Sequence, residues 1–281
     1  YMGGIFVDID QDGDRDLYAI RFNRRNMWFM NEESELRSLP DSLLSRGYAG
    51  ATSVSIADFD HDGFLDLFSV YRYSSPNELL LRPTVAGFNS KPQVQSVLSA
   101  GKETFSSSAF DYNGDGSPDI YVAHFGYEDA LHLNDGRGLF TAVGDSMGLT
   151  DRDFSVAGIP ADFDSDGDYD LYVIHANERP NAMWRNENGT SFIRSDVGAE
   201  GEISSSGASA TDWDLDGDLD LLVSNVEGIN VYENNGYGSF VEVSGMALPD
   251  DLNDEIKTAG ITTSDYDQDG DIDALVFRLE G

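Results

Sequence analysis

A nine-residue pattern, Asp-x-Asp/Asn-x-Asp-Gly-x-x-Asp, recurs six times in 281 residues, at 8–16, 58–66, 111–119, 162–170, 212–220 and 265–273. Successive copies begin 50 to 53 residues apart. A fixed period of that size signals a propeller or an array before any other architecture is considered. Oxygen ligands at positions 1, 3, 5 and 9, with a glycine at 6 for the sharp turn, are what a hard cation of high coordination number needs. The expected ion is calcium, up to six of them.

The proposed ligand sets are read off the pattern. They are Asp8, Asp10, Asp12, Asp14 and Asp16 in the first loop, and Asp58, Asp60, Asp62, Phe64 and Asp66 in the second. The third has Asp111, Asn113, Asp115, Ser117 and Asp119, and the fourth Asp162, Asp164, Asp166, Asp168 and Asp170. The fifth has Asp212, Asp214, Asp216, Asp218 and Asp220, and the sixth Asp265, Asp267, Asp269, Asp271 and Asp273. Position 7 includes Phe64, so the ligand there is expected to be the backbone carbonyl. Position 2 is always bulky and apolar (Ile9, Phe59, Tyr112, Phe163, Trp213, Tyr266), which suits an anchor on the core. Positions 4 and 8 vary freely and are expected to face solvent. The third loop is the expected weakest binder, because Asn113 removes a charge and Gly114 and Pro118 alter the backbone.

An EF-hand would need a bidentate glutamate at position 12. Those positions are Ala19, Ser69, Val122, Val173, Val223 and Val276, and the flanks read as strands. Calcium β-helix nonapeptides recur far more often than every 50 residues. A magnesium-phosphate enzyme would show one or two carboxylates with a phosphate loop rather than six equivalent cages.

Each loop follows a short strand-like run and precedes an apolar one, such as Ile120-Tyr121-Val122-Ala123 or Leu171-Tyr172-Val173-Ile174. Near-continuous apolar runs are the pattern of strands covered on both faces. A third strand follows, as in 27–30, 79–81, 130–133, 183–185 and 230–232. Asn- and Gly-rich turns then lead to a fourth strand, marked by Leu36, Phe88, Phe140, Phe192 and Phe240. Four antiparallel strands per repeat make a propeller blade. The expected fold is therefore an all-β propeller forming one domain over 1–281. Five full repeats and part of a sixth are visible, so the expectation is a piece of a larger propeller in a longer chain.

The net charge of −35 could suggest a disordered acidic tail, but the loops alone hold 27 aspartates and leave only −8 for the rest. That balance argues against nucleic acid as a partner, since phosphate binding needs clustered Lys and Arg. Cysteine is absent, which excludes disulfides and thiol chemistry. No apolar run is long enough to span a membrane as a helix. Sites of this kind fill at extracellular calcium levels, so a secreted, periplasmic or cell-surface setting is expected, in a bacterial source.

The run Ala161-Asp162-Phe163-Asp164-x-Asp166-Gly167-Asp168-x-Asp170-Leu171-Tyr172-Val173, then Asn181-Ala182-Met183-Trp184-Arg185-Asn186 and Phe192, resembles an FG-GAP/VCBS repeat. Such repeats also build the heads of integrin α subunits. The phrase Phe140-x-x-Val143, Gly148-Leu149, Ser155-x-Ala157-Gly158 is similar to the cartilage acidic protein group, whose propeller precedes an ASPIC/UnbV domain not found in this sequence. The resemblance implies a secreted or surface-associated propeller of about seven blades with calcium in the blade-edge loops; cell adhesion or carbohydrate binding is the accompanying expectation. It implies no reaction.

Catalytic constellations are not recognisable: there is no Ser/His/Asp elbow and no cysteine nucleophile. The chain therefore reads as a non-enzyme that presents loops to a protein or glycan partner. The alternatives are a polysaccharide lyase or hydrolase and a scaffold for a further domain. His124 and His175 both fall 13 residues after a first loop aspartate, where other repeats have Arg21, Tyr71, Asn225 and Arg278. The expected reading is a strand end emerging into water, and the alternative a polar ring lining one face. Trp28, Trp184 and Trp213 read as core residues rather than sugar-stacking platforms.

Overall fold

A computed structural model describes residues 3–21, 24, 26–39, 51–72, 76–81, 93–95 (backbone alone), 101–150, 152–201, 204–244 and 258–278. Among the described elements, all but a short 3-10 turn at Gly144–Met147 are strands. The first sheet comprises β1 (Gly3–Val7), β2 (Asp16–Ile20), β3 (Met27–Glu32) and β4 (Glu35–Ser38). The second comprises β5 (Ala51–Ala57), β6 (Asp66–Tyr71), β7 (Glu78–Leu81) and β8 (Gln93–Gln95). The third has β9 (Thr104–Phe110), β10 (Asp119–His124), β11 (Ala130–Asn134) and β12 (Phe140–Ala142). The fourth has β13 (Ser155–Ala161), β14 (Asp170–His175), β15 (Ala182–Asn186) and β16 (Phe192–Ser195). The fifth has β17 (Ser205–Thr211), β18 (Asp220–Asn225), β19 (Gly228–Asn234) and β20 (Phe240–Glu242), and the sixth β21 (Thr258–Ser264) with β22 (Asp273–Arg278).

In every sheet consecutive strands are neighbours and antiparallel. This up-and-down, four-stranded unit is the propeller blade. The expected strands match in type and place, including the fourth strands at Leu36, Phe140, Phe192 and Phe240. Phe88 lies outside the described residues, and the fourth strand of its sheet is Gln93–Gln95, further along.

The chain divides into two compact units, 1–111 with 115–144 and 112–114 with 145–281. In the first, the second strands bury apolar side chains between successive sheets. Tyr18, Ile20, Trp28 and Met30 pack against Leu67, Tyr71 and Leu80, while Phe68 and Val70 pack against Ile120 and Val122. In the second unit Tyr172 and Ile174 meet Leu221 and Val223, and Leu222 meets Ile261. Alternate residues of one strand thus face the preceding and the following sheet. Double coverage explains why β6 and β18 are buried at all six positions; β10 and β14 are buried throughout as well.

Candidate metal centres

Each loop runs from the end of a first strand to the start of a second. Glycine at position 6 has φ between 87° and 103° in all six copies, and a Cβ there would meet nothing within 4 Å. Conformation, not crowding, therefore requires glycine at this position. Position 4 is left-handed too, at Gln11, His61, Ser165, Leu215 and Gln268.

The loops are held by their own carboxylates. The position 1 aspartate accepts the amides of positions 5 and 6, as in Asp162 with Asp166 N at 3.1 Å and Gly167 N at 3.0 Å. The same pair of bonds recurs at Asp8, Asp58, Asp111 and Asp265. The position 5 aspartate accepts the amide of position 7 in all six loops, for instance Ser117 N to Asp115 at 2.8 Å.

Position 9 is a buried clamp. One oxygen of Asp16, Asp66, Asp170, Asp220 and Asp273 accepts the amide of position 2 in its own loop. The other oxygen, in Asp16, Asp119, Asp170 and Asp220, accepts the amide of an asparagine closing the third strand, at 2.8 Å each. That asparagine ties consecutive sheets together. Asn234 donates its Nδ2 to Phe163 O of the preceding loop at 2.8 Å and to Leu219 O of its own at 3.0 Å. Asn186 does the same with Tyr112 O and Tyr169 O, and Asn134 with Phe59 O and Pro118 O. Sequence reading took these asparagines for turn residues alone; an asparagine one or two residues after four of the five third-strand runs (Asn31, Asn134, Asn186, Asn234) was the available signal.

Five loops bring three carboxylate oxygens within 4.8 Å of one another: Asp8, Asp10 and Asp12; Asp58, Asp60 and Asp62; Asp162, Asp164 and Asp166; Asp212, Asp214 and Asp220; Asp265, Asp267 and Asp269. The third loop, with Asn113, forms no such carboxylate group among the described residues. Crowded like charges repel strongly where water is excluded. Accordingly burial, then neighbouring aspartates, raise the carboxyls of Asp10, Asp60 and Asp164; Arg185, 3.6 Å from Asp164, opposes the rise there. Burial pushes Asp170 up to about 7, and burial with four neighbouring aspartates pushes Asp218 to about 6.

An oxygen of each of Asp10, Asp14, Asp164, Asp212 and Asp218 is shielded from solvent and accepts no hydrogen bond. Buried acceptors without donors are costly. Clustered, hard, acceptor-only oxygens with unused lone pairs fit a hard divalent cation.

Position 2 anchors as expected: Ile9, Phe59, Tyr112 and Phe163 are buried, and Trp213 packs partly on the fifth core cluster. Tyr266 departs from this and is 88% exposed. Position 8 departs as well, since Leu65 and Leu219 pack against core clusters rather than facing solvent. Trp28 and Trp184 are core residues. The strand-end residues correct an expectation. His124, His175, Tyr71 and Asn225 are buried rather than emerging into water. The amides of the two histidines and Tyr71 are capped by side chains five or six residues on: His124 N by Asp129, His175 N by Asn181 and Tyr71 N by Asn77. The ring nitrogens Nδ1 of His124 and His175 donate to Glu128 O and Pro180 O, both at 2.7 Å.

Stacked antiparallel four-stranded sheets with an aspartate loop at one end of each define a class, the propeller-type repeat proteins. The FG-GAP-like repeat pattern matches residues 8–69, 111–173, 162–223 and 212–276, and the chain belongs to that family. No curated protein matches it in sequence. Among solved structures it is similar to an Agrocybe aegerita lectin described as recognising non-reducing terminal N-acetylglucosamine, at 17% identity and TM-score 0.59, over 85% of this chain and 64% of the lectin. It is similar to the extracellular domain of a one-component system from B. thetaiotaomicron, at 13% identity and TM-score 0.57, over 94% of this chain and 30% of that one. An auxiliary nutrient binding protein from Bacteroides thetaiotaomicron matches at 12% identity and TM-score 0.55, over 95% and 65%. The chain thus spans less than two thirds of each of these structures, and at such identities they share its fold alone. Among the described residues no helix is long and apolar enough to cross a membrane.

Proposed function

We propose that the chain is a calcium-binding interaction module acting outside the cytoplasm, in a secreted, periplasmic or cell-surface bacterial protein. The ions hold the loops, and the surfaces between them meet a protein or glycan partner. The observation that carries the metal reading is the set of shielded, unpartnered oxygens of Asp10, Asp14, Asp164, Asp212 and Asp218 inside clusters of aspartate. Calcium supplies charge neutralisation and up to six coordination centres; the residues that would hold it are those at positions 1, 3, 5, 7 and 9. In this reading the position 9 aspartates do double service, since their oxygens already fix two backbone amides.

A structural rather than catalytic role for the ions is supported by the way the second to fifth loops are tied to neighbouring strands through Asn134, Asn186 and Asn234. The extracellular setting is supported by the calcium levels such sites need and by an extracellular domain among the solved structures of this fold. The partner class is supported by the lectin and the nutrient binding protein of the same fold. Isothermal titration with calcium, followed by glycan and protein arrays run with and without chelator, tests the reading. Calcium-dependent capture without turnover supports it. Absence of calcium uptake overturns the metal part, and turnover of an arrayed polysaccharide overturns the binding part.

A further inference from the structure

The fifth sheet departs from the repeat at one place. Five or six residues join the second and third strands in the first four sheets, and the last of them is Asn26, Asn77, Asp129 or Asn181. In the fifth sheet Val226 and Glu227 alone join β18 to β19, with Asn225 facing Gly228 across the hairpin. The capping residue is missing, and the side chain of Asn225 turns instead to Asn230 Oδ1 at 2.5 Å.

A cleft of about 310 Å³ opens beside this shortened turn, at the opposite end of β18 from its aspartate loop. That volume is at the lower end of the range for small-molecule sites. Asn181 reaches it from the fourth sheet, and Asn225, Asn230, Tyr232 and Glu242 from the fifth, with Gly201 and Ser205 at its wall. Asn181, Asn225 and Tyr232 are each at least 96% buried. The Tyr232 hydroxyl, in the wall of the cleft, has no hydrogen-bond partner among the described residues. Gly201 keeps the space above it clear: its φ is +52°, and a Cβ there would lie 3.3 Å from the Tyr232 oxygen and 3.8 Å from Asn181 Nδ2. Glu242 accepts Asn230 Nδ2 at 2.7 Å and the Ser244 hydroxyl at 3.0 Å through the same Oε1, which leaves Oε2 available to a ligand.

We infer that this cleft binds a small neutral polyhydroxylated ligand, a sugar residue, through the Tyr232 hydroxyl, the Glu242 carboxylate and the surrounding asparagine amides. An amphipathic ring with a free hydroxyl, a carboxylate acceptor and amides matches a ligand whose hydroxyls both donate and accept. Neutral rather than anionic ligands are indicated, because no lysine or arginine is among the lining residues and Glu242 is. Consistent with that, burial followed by Glu242 and Glu200 pushes the Tyr232 phenol up to about 12, so it stays a donor at any physiological pH.

The inference rests on the interaction-module reading and assigns it a site, so the experiment keeps the two apart. The calcium-loaded protein, Tyr232→Phe and Glu242→Gln are compared on an array of neutral and anionic glycans. Saturation-transfer NMR with glucose, galactose, mannose and N-acetylglucosamine follows. The expected result is binding of a neutral sugar that falls at least tenfold in Tyr232→Phe and in Glu242→Gln, with the melting midpoint of Tyr232→Phe unchanged or raised. Glycan binding retained in both variants overturns the cleft while leaving the module reading standing. Binding confined to anionic glycans overturns it too, and binding to no glycan overturns it while passing the module reading to protein partners.

Discussion

The fifth and sixth sheets carry the same loop and the same apolar second strand, yet β18 is buried throughout and β22 is not. Leu222 is 0% exposed, and its counterpart Leu275 is 60% exposed. Ser224 is fully buried and Phe277 is half exposed; Phe163 anchors the fourth loop and Tyr266 stands in solvent. The faces differ in a specific way. Ala274 and Val276 pack back onto the fifth sheet, whereas Leu275 and Phe277 point away from it. A repeat of this kind buries each face only against a neighbour. The motif therefore sets where the loop lies, and the neighbour sets what the loop is worth. The first sheet shows the same one-sided coverage on β1, where Ile5 and Val7 pack against the core and Phe6 is 59% exposed.

The sharpest way to break the comparison is to remove the ions. Each site at a hundredfold excess of calcium over Kd adds about 2.7 kcal/mol, and 1 kcal/mol moves a domain of this size by about 2–4 °C. Chelation is therefore expected to lower the melting midpoint by roughly 10 °C or more. Hydrogen exchange should then rise at the clamped amides of Phe163 and Trp213 as well as Tyr266. An unchanged midpoint would show that the loops hold without metal.

Anchor truncation comes next in size. Phe163→Ala empties a packed position and is expected to cost about 3–5 kcal/mol, while Tyr266→Ala should stay within about 0.5 kcal/mol, as exposed substitutions do. Equal losses in urea unfolding would dissolve the distinction between covered and uncovered loops.

Asn234→Ala tests the tie between sheets. It strands Phe163 O and Leu219 O in a buried setting, so a loss of about 1–3 kcal/mol is expected. Asn234→Asp, which keeps the shape but loses the donor, should recover little of it.

The smallest effect concerns a covered strand end in the third sheet. Burial, with Lys102 and His132 nearby, lowers the His124 imidazole to about 4 from its usual 6.5. Between those values the unfolded chain binds a proton that the fold refuses, so stability falls as pH drops from 6.5 towards 4. His132, lowered likewise by burial, adds to the slope. In denaturant titrations His124→Asn should flatten part of that dependence. A slope identical to the parent chain would place the acid sensitivity elsewhere.

Much of this was legible in the order of residues. The six-fold pattern locates every loop, the apolar runs locate every second strand, and position 2 marks the anchors, because all three follow from local spacing and side-chain chemistry. Tertiary structure decided the rest. It turned the strand-end histidines inward, where the Asp129 and Asn181 caps satisfy their backbone amides and the carbonyls of Glu128 and Pro180 their Nδ1 atoms without water. It made asparagines that look like turn residues into cross-sheet donors, since their acceptors lie 71 to 75 residues away in sequence. It also placed Asn181, Asn225 and Tyr232 around one cleft, through a turn shortened in a single sheet. A repeat unit is written in its own residues, but its burial, its hydrogen-bond partners and its clefts belong to the unit together with its neighbours.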